Sequence, residues 1–207
     1  MTQFLQKVID KFMKAPRVTE ILRYFSNYHN VPKNILEKAA ARGSSVHAIC
    51  AGIAKGAWVP DGMIAAELLG YVNSFKQWAD TEVQQFLIIE KRYQDQTKDF
   101  SGQLDFLITG KDGETWLVDI KTSAAPQRTY PVQMAAYRHL LQNHCVNIKG
   151  AQLVYLDREG SAPKVHKLED LSEEEHIFLC ALDCWHFFNR SKKNERNRKG
   201  TTDESDA

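Results

Sequence analysis

Between Glu82 and Ser123 the apolar residues of this chain change their period. The segments "EVQQFLIIEKRYQ", "DFSGQLDFLITG" and "ETWLVDIKTS" are short and rich in β-branched and aromatic residues, whereas the flanking segments repeat apolar residues every three or four positions. Strands bracketed by helices restrict the chain to a layered α/β architecture. Lys111, Asp112 and Gly113 supply hairpin-turn chemistry between the last two segments, so the three strands read as an antiparallel meander. Downstream the pattern predicts a helix over 130–144, a strand over 148–158, a shorter strand over 163–169 and a helix from Ser172 to 190. Upstream, Thr19 is placed to cap a short helix carrying Ile21, Leu22 and Phe25 inward, Pro32 opens a helix reaching Gly56, and a further helix occupies 60–80. That last helix buries a stripe of Ile64, Leu68, Tyr71, Val72, Phe75 and Trp78. The expected fold is α/β, with a mixed sheet flanked by helices.

The 207 residues, 43% of them hydrophobic, are enough for one domain over 1–190 to bury a core without disulfides. No apolar run approaches the ~20 residues that span a bilayer, so no membrane association is expected. A net charge of +1 offers no overall basic excess, and any contact with nucleic acid must come from local charge. "RSKKNERNRKG" is basic and "TTDESDA" acidic, and residues 191–207 read as a flexible charged tail. Cys50, Cys145, Cys180 and Cys184 lack CxxC spacing and read as reduced, partly buried thiols. In "MTQFLQKVIDKFMKAP", Phe4, Leu5, Val8, Ile9, Phe12 and Met13 share one helical face. The stretch lacks arginine, serine and a cleavage site, which favours a docking helix over a secretory or mitochondrial address.

Chemistry concentrates in "VDIK". Side chains alternate along a strand, so Asp119 and Lys121 emerge on one face while Val118 and Ile120 pack on the other. Alone, such a pair is most simply a salt bridge. However, "GQLDF" sets Asp105 on the hairpin partner, within cross-strand reach of Asp119. Two carboxylates that close repel each other unless a cation lies between them, which points to a divalent metal. Lys121 beside them is suited to offset charge on a phosphoryl transition state or to hold an attacking water. Gln133 and Tyr137, four apart, share one helical face. Arg42, Ser44, Ser45, Thr122, Ser123 and Arg128 are candidate DNA contacts, and Tyr24, Phe25 and Tyr28 suit either stacking on unpaired bases or core packing.

Taken in order, "GQLD", "VDIKTS" and "QMAAY", with "RGSSVH" and "PRVTEIL" upstream, resemble the PD-(D/E)xK nuclease superfamily. The likeness is to its RecB-like exonuclease branch, including phage-type and mitochondrial genome maintenance exonucleases, and spans Pro16 to Tyr137; Leu104 stands where the superfamily's name expects proline. The resemblance implies a restriction-endonuclease-like core in which His47, Asp105, Asp119 and the backbone carbonyl of Ile120 bind Mg²⁺ or Mn²⁺. It makes Lys121 the catalytic lysine, gives Glu90 the orientation of water or a second ion, and sets Gln133 and Tyr137 along the active site. The implied activity is hydrolysis from DNA ends, single strands preferred, leaving a 5′-phosphate and a 3′-hydroxyl, in DNA repair or recombination. Other readings are a catalytically silent DNA-binding module acting in recombination or packaging, and an endonuclease. The cysteine order departs from that of the branch's iron-sulfur members, so no cluster is expected. The implied setting is the cytoplasm of a bacterial or phage-infected cell.

Overall fold

The structure is a computed structural model that describes residues 15–28, 31–123, 125–142 and 147–199, with side chains as far as Asn189. The amphipathic segment 1–13, Cys145 and residues 200–207 lie outside the described residues. The elements, in order, are α1 (Val18–Leu22), α2 (Lys33–Ala54), α3 (Ala66–Glu82), β1 (Val83–Asp95), β2 (Phe100–Gly110), β3 (Thr115–Lys121), α4 (Thr129–Gln142), β4 (Gly150–Tyr155), β5 (Lys164–Leu168) and α5 (Ser172–Lys199). This is the expected α/β succession.

Three local details differ from expectation. Arg17 rather than Thr19 occupies the N-cap of α1, without a side-chain cap, because Thr19 is already inside the helix. Asp61–Met63 form a 3₁₀ turn behind Pro60, which delays α3 to Ala66. The final helix runs to Lys199 instead of ending at 190, since nothing from Ser191 to Lys199 is glycine or proline and Gly200 is the first residue to disfavour helix. Its start at Ser172 is as expected, with Asp170 Oδ1 accepting both the Ser172 N–H (2.9 Å) and its hydroxyl (2.7 Å).

The sheet order is β1-β2-β3-β4-β5. β1, β2 and β3 form the antiparallel meander, closed by a turn in which Gly113 takes φ +80, a value open to glycine because it lacks a Cβ. β3 and β4 are parallel, as their connection through α4 requires, and β5 returns antiparallel. Each face of this mixed sheet carries its own core. Phe106, Ile108, Trp116, Val118 and Ile120 pack against α2 and α3, through Val46, Cys50, Phe75 and Trp78. Leu104, Leu107, Leu117 and Leu153 pack against α1, α4 and α5, through Ile21, Met134, Leu141 and Phe178. His139 of α4 meets Asp95 of β1 (3.3 Å) and Glu175 of α5 (2.8 Å), fixing the second layer to the sheet.

Candidate active site

The sheet loses its regular pairing at Asp105. The β1–β2 register continues from Ile89↔Phe106 to Lys91↔Leu104, but the Glu90–Asp105 pair between them is missing from the ladder. Glu90 has φ +48, a left-handed conformation that a side-chain-bearing residue adopts only at a cost of about 1–3 kcal/mol. Leu104 and Phe106, two apart in one strand, accordingly enter opposite cores. On the other side, the β2–β3 ladder ends at Phe106↔Val118, so Asp105 and Asp119 occupy the next position, where the strands separate. The Ile120 N–H donates to Asp105 Oδ2 (3.0 Å) instead of to the backbone of β2.

Two groups of side chains meet at this opening. From the α2 side, His47 Nδ1 lies 3.2 Å from Asp105 Oδ1 and 4.0 Å from Glu90 Oε1. One ligand-type atom from each of His47, Glu90 and Asp105 falls within 4.8 Å of the others. Gln103 donates its amide N–H to Glu90 Oε2, holding that carboxylate in place. From the α4 side, Lys121 Nζ lies 2.6 Å from Asp119 Oδ2 and donates to Gln133 Oε1 (3.0 Å). Gln133 Nε2 donates to the Tyr137 hydroxyl (2.8 Å) and, at 3.4 Å, to Asp119 Oδ1. Asp105 joins the halves, with one oxygen toward His47 and the other on the backbone of β3.

The family model of the PD-(D/E)XK nuclease superfamily matches residues 21–184. The chain belongs to the PD-(D/E)XK nuclease superfamily. The mixed sheet between helices is that superfamily's restriction-endonuclease-like fold. No curated protein sequence matches the chain significantly. The solved structure of SSO0001 aligns with 55% of this chain at 15% identity and a TM-score of 0.33; the alignment spans 54%, about half, of its own length.

The donor set of this superfamily member fits a divalent cation. Carboxylate oxygens are the hard donors that divalent cations such as Mg²⁺ and Mn²⁺ take, and an imidazole beside them suits Mn²⁺ better than Mg²⁺. One ligand-type atom from each of the three side chains, His47, Glu90 and Asp105, lies within 4.8 Å of the others. Asp119 Oδ2 is buried, with the Lys121 ammonium 2.6 Å away as its ionic partner. A carboxylate oxygen carries more than one lone pair, so this contact leaves one available to a cation. Burial drives the Asp119 carboxyl above its ordinary range; Lys121 opposes the shift and Asp105 reinforces it.

Burial alone would lower the pKa of His47, yet the charge and hydrogen bond of Asp105, with the charge of Asp119, raise it to about 9. Protonated His47 therefore stabilises the metal-free protein fully below its unfolded value of 6.5, and this contribution disappears as pH rises through about 9. In EDTA, the difference in Tm between wild type and His47→Leu is expected to shrink from about pH 6 to about pH 10. A difference that stays constant over that range would show that Asp105 does not stabilise the imidazolium.

The remaining sequence candidates separate around the opening. Ser44 joins Gly43, His47, Glu90, Gln103 and Asp105 around a cavity of about 730 Å³, whereas Ser45 is exposed outside that lining. Thr122 Oγ1 lies against α2, 3.7 Å from where a Cβ on Gly43 would stand, and Ser123 Oγ is 3.1 Å from the Tyr130 hydroxyl. Arg42 instead lies over the Tyr71 ring at 5.6 Å, and Arg128 lines an apolar cavity between α1 and α5. Tyr24 and Phe25 are exposed on that α1–α5 side rather than packed in the core, and Tyr28 alone of the three borders the cleft beside Lys121. The thiols differ from expectation too: Cys50 is buried, but Cys180 and Cys184 are exposed, on the opposite face of the sheet.

Sequence reasoning missed the role of Gly102. A Cβ there would stand 2.7 Å from Tyr137 Cε1, so only glycine lets the tyrosine lie on β2 and reach Gln133. The only signal was that Gly102 opens the "GQLD" motif. Gly102→Ala is expected to destabilise the fold by about 1–3 kcal/mol, as overpacking does, and to weaken cleavage as Tyr137 and Gln133 shift. Chemical denaturation and a cleavage assay check both effects, and unchanged stability would contradict the contact.

Proposed function

We propose that this protein is a Mg²⁺- or Mn²⁺-dependent DNA exonuclease of the RecB-like branch, hydrolysing phosphodiester bonds from DNA ends and favouring single strands. The observation that carries the proposal is the placement of the Lys121 ammonium, steadied by Asp119 and Gln133, beside the His47–Glu90–Asp105 cluster. His47, Asp105 and Asp119, with the Ile120 carbonyl and Glu90, are the groups that would hold the cation. When bound, it supplies Lewis-acid charge at the scissile phosphate and lowers the pKa of a water.

The chain's own residues do the rest. Lys121 presents positive charge where negative charge accumulates on the phosphoryl oxygens, or directs the attacking water in line with the leaving 3′-oxygen. Gln133 keeps the ammonium aimed, and Tyr137 keeps Gln133 from rotating. The contact of both with the site supports the RecB-like assignment, because that branch carries the Q-x-x-x-Y motif. The cleft beyond Lys121, about 300 Å³ with Tyr28 at its rim, suits an unpaired strand better than a duplex. Processing of ends is work for DNA repair or recombination.

The test is digestion of end-labelled single- and double-stranded DNA, linear and circular, with Mg²⁺, Mn²⁺ or EDTA. The expected result is metal-dependent shortening of linear strands, fastest on single-stranded DNA. Cutting of closed circles would replace the exonuclease reading with an endonuclease one, and no cleavage with either metal would leave the chain a silent binding module.

A further inference from the structure

Lys121 has one neighbour that the proposed mechanism does not use. Its Nζ stands 4.1 Å from the centroid of the Tyr130 ring, within the range where a cation is attracted to an aromatic face. Tyr130 is one turn before Gln133 and two before Tyr137, so a single face of α4 brings all three residues to the site.

The ring is itself fixed. Its hydroxyl is 3.1 Å from Ser123 Oγ, just beyond the end of β3, and its centroid is 6.5 Å from that of Tyr155 in β4. Tyr155 in turn meets His166 of β5 edge-on at 5.3 Å. The ring is thus anchored to β3 and backed by β4, and its position does not depend on α4 alone.

We propose that Tyr130 is a positioning residue for Lys121, its ring face forming one wall of the ammonium's seat. The inference rests on the nuclease reading for its catalytic consequence. The physical advantage lies in what an aromatic face leaves free. An ammonium has three donors and a flexible four-carbon stem. A second carboxylate against the ammonium would restrain the stem but would also cancel the charge and occupy a donor. The Tyr130 face restrains the ammonium without accepting a full hydrogen bond, so an N–H is left for a substrate oxygen or a water. Asp119, Gln133 and Tyr130 then hold the nitrogen from the strand and the helix, open toward the cleft.

Tyr130→Phe preserves the ring and removes the bond to Ser123, whereas Tyr130→Leu removes the face. In metal-free protein, the Lys121 ε-methylene protons should be shifted upfield by the ring current in wild type and in Tyr130→Phe, and return to ordinary positions in Tyr130→Leu. In single-turnover cleavage with saturating DNA, where affinity does not enter the rate, Tyr130→Leu should lower the rate roughly tenfold, and Tyr130→Phe should stay within about threefold of wild type. In a Lys121→Met background, Tyr130→Leu should cause no further loss. The proposal is overturned by unshifted ε-methylene protons in wild type, by a Tyr130→Phe variant as slow as Tyr130→Leu, or by an additive loss in the Lys121→Met background. A wild type that shows the shift but cleaves nothing would overturn the nuclease reading, and the positioning role with it, while leaving the contact itself established.

Discussion

Lys121→Met is expected to slow DNA cleavage by roughly 10³-fold, with DNA binding retained and metal binding weakened. Methionine keeps most of the apolar stem and removes the charge. What is lost is an interaction that strengthens only as negative charge builds on the phosphate, so the effect falls on the rate of the chemical step rather than on affinity for DNA. The structure adds a second consequence. The ammonium lies 2.6 Å from Asp119 Oδ2, and both side chains are largely buried. Without it, a carboxyl that burial already pushes upward becomes easier to protonate and a poorer ligand near neutral pH. Raising the pH should therefore recover part of the lost metal affinity in the variant. Single-turnover rates and metal titrations at two pH values provide the measurement. A variant cleaving within tenfold of wild type would remove Lys121 from the chemistry.

Asp105→Asn is expected to abolish the rise in Tm that Mg²⁺ or Mn²⁺ gives the wild type, and to lower activity to background. Asp105 is the hinge of the site: Oδ1 faces His47 at 3.2 Å and Oδ2 accepts the Ile120 N–H at 3.0 Å. Asparagine still supplies an acceptor for that N–H, so the sheet is expected to stay closed, but it removes one negative charge from the cluster with His47 and Glu90. A weakened site loses ligand-linked stabilisation in proportion to the logarithm of its affinity, and a 100-fold loss corresponds to about 2.7 kcal/mol at saturating metal. The same change removes the group that raises His47, so its pKa should fall and the alkaline loss of stability in EDTA should flatten. Thermal melts with and without metal, across pH, report both effects. If Asp105→Asn keeps the full metal-induced shift, the cation is held elsewhere.

The succession of elements was legible in the sequence because each depends on local periodicity. The change of period near Glu82 marks the start of the sheet, and the alternation in "VDIK" does put Asp119 and Lys121 on the face opposite Val118 and Ile120. The expected neighbourhood of Asp105 and Asp119 follows from the short turn, which sets the register. Glu90 was harder to place. The resemblance gave it water or a second ion to orient, but its left-handed backbone and its position opposite Asp105 involve two strands at once and are not encoded in the spacing of "FLIIE". The exposure of Tyr24 and Phe25, and the turning of Arg42 and Arg128 away from the opening, are likewise properties of packing that spacing does not encode.

By itself the sequence determined which residues are charged, which alternate and which share a helical face, since these depend only on the geometry of a strand or a helix. Those constraints brought Asp119 beside Lys121 and Gln133 beside Tyr137. The tertiary structure alone decided how the two halves meet: the ladder breaks on both sides of Asp105, α2 brings His47 from one face of the sheet, and α4 brings Gln133 and Tyr130 from the other. The physical reason is that a site at the meeting of three layers depends on contacts between residues far apart in sequence, whose distances are set by how the layers pack and not by the period of any one segment.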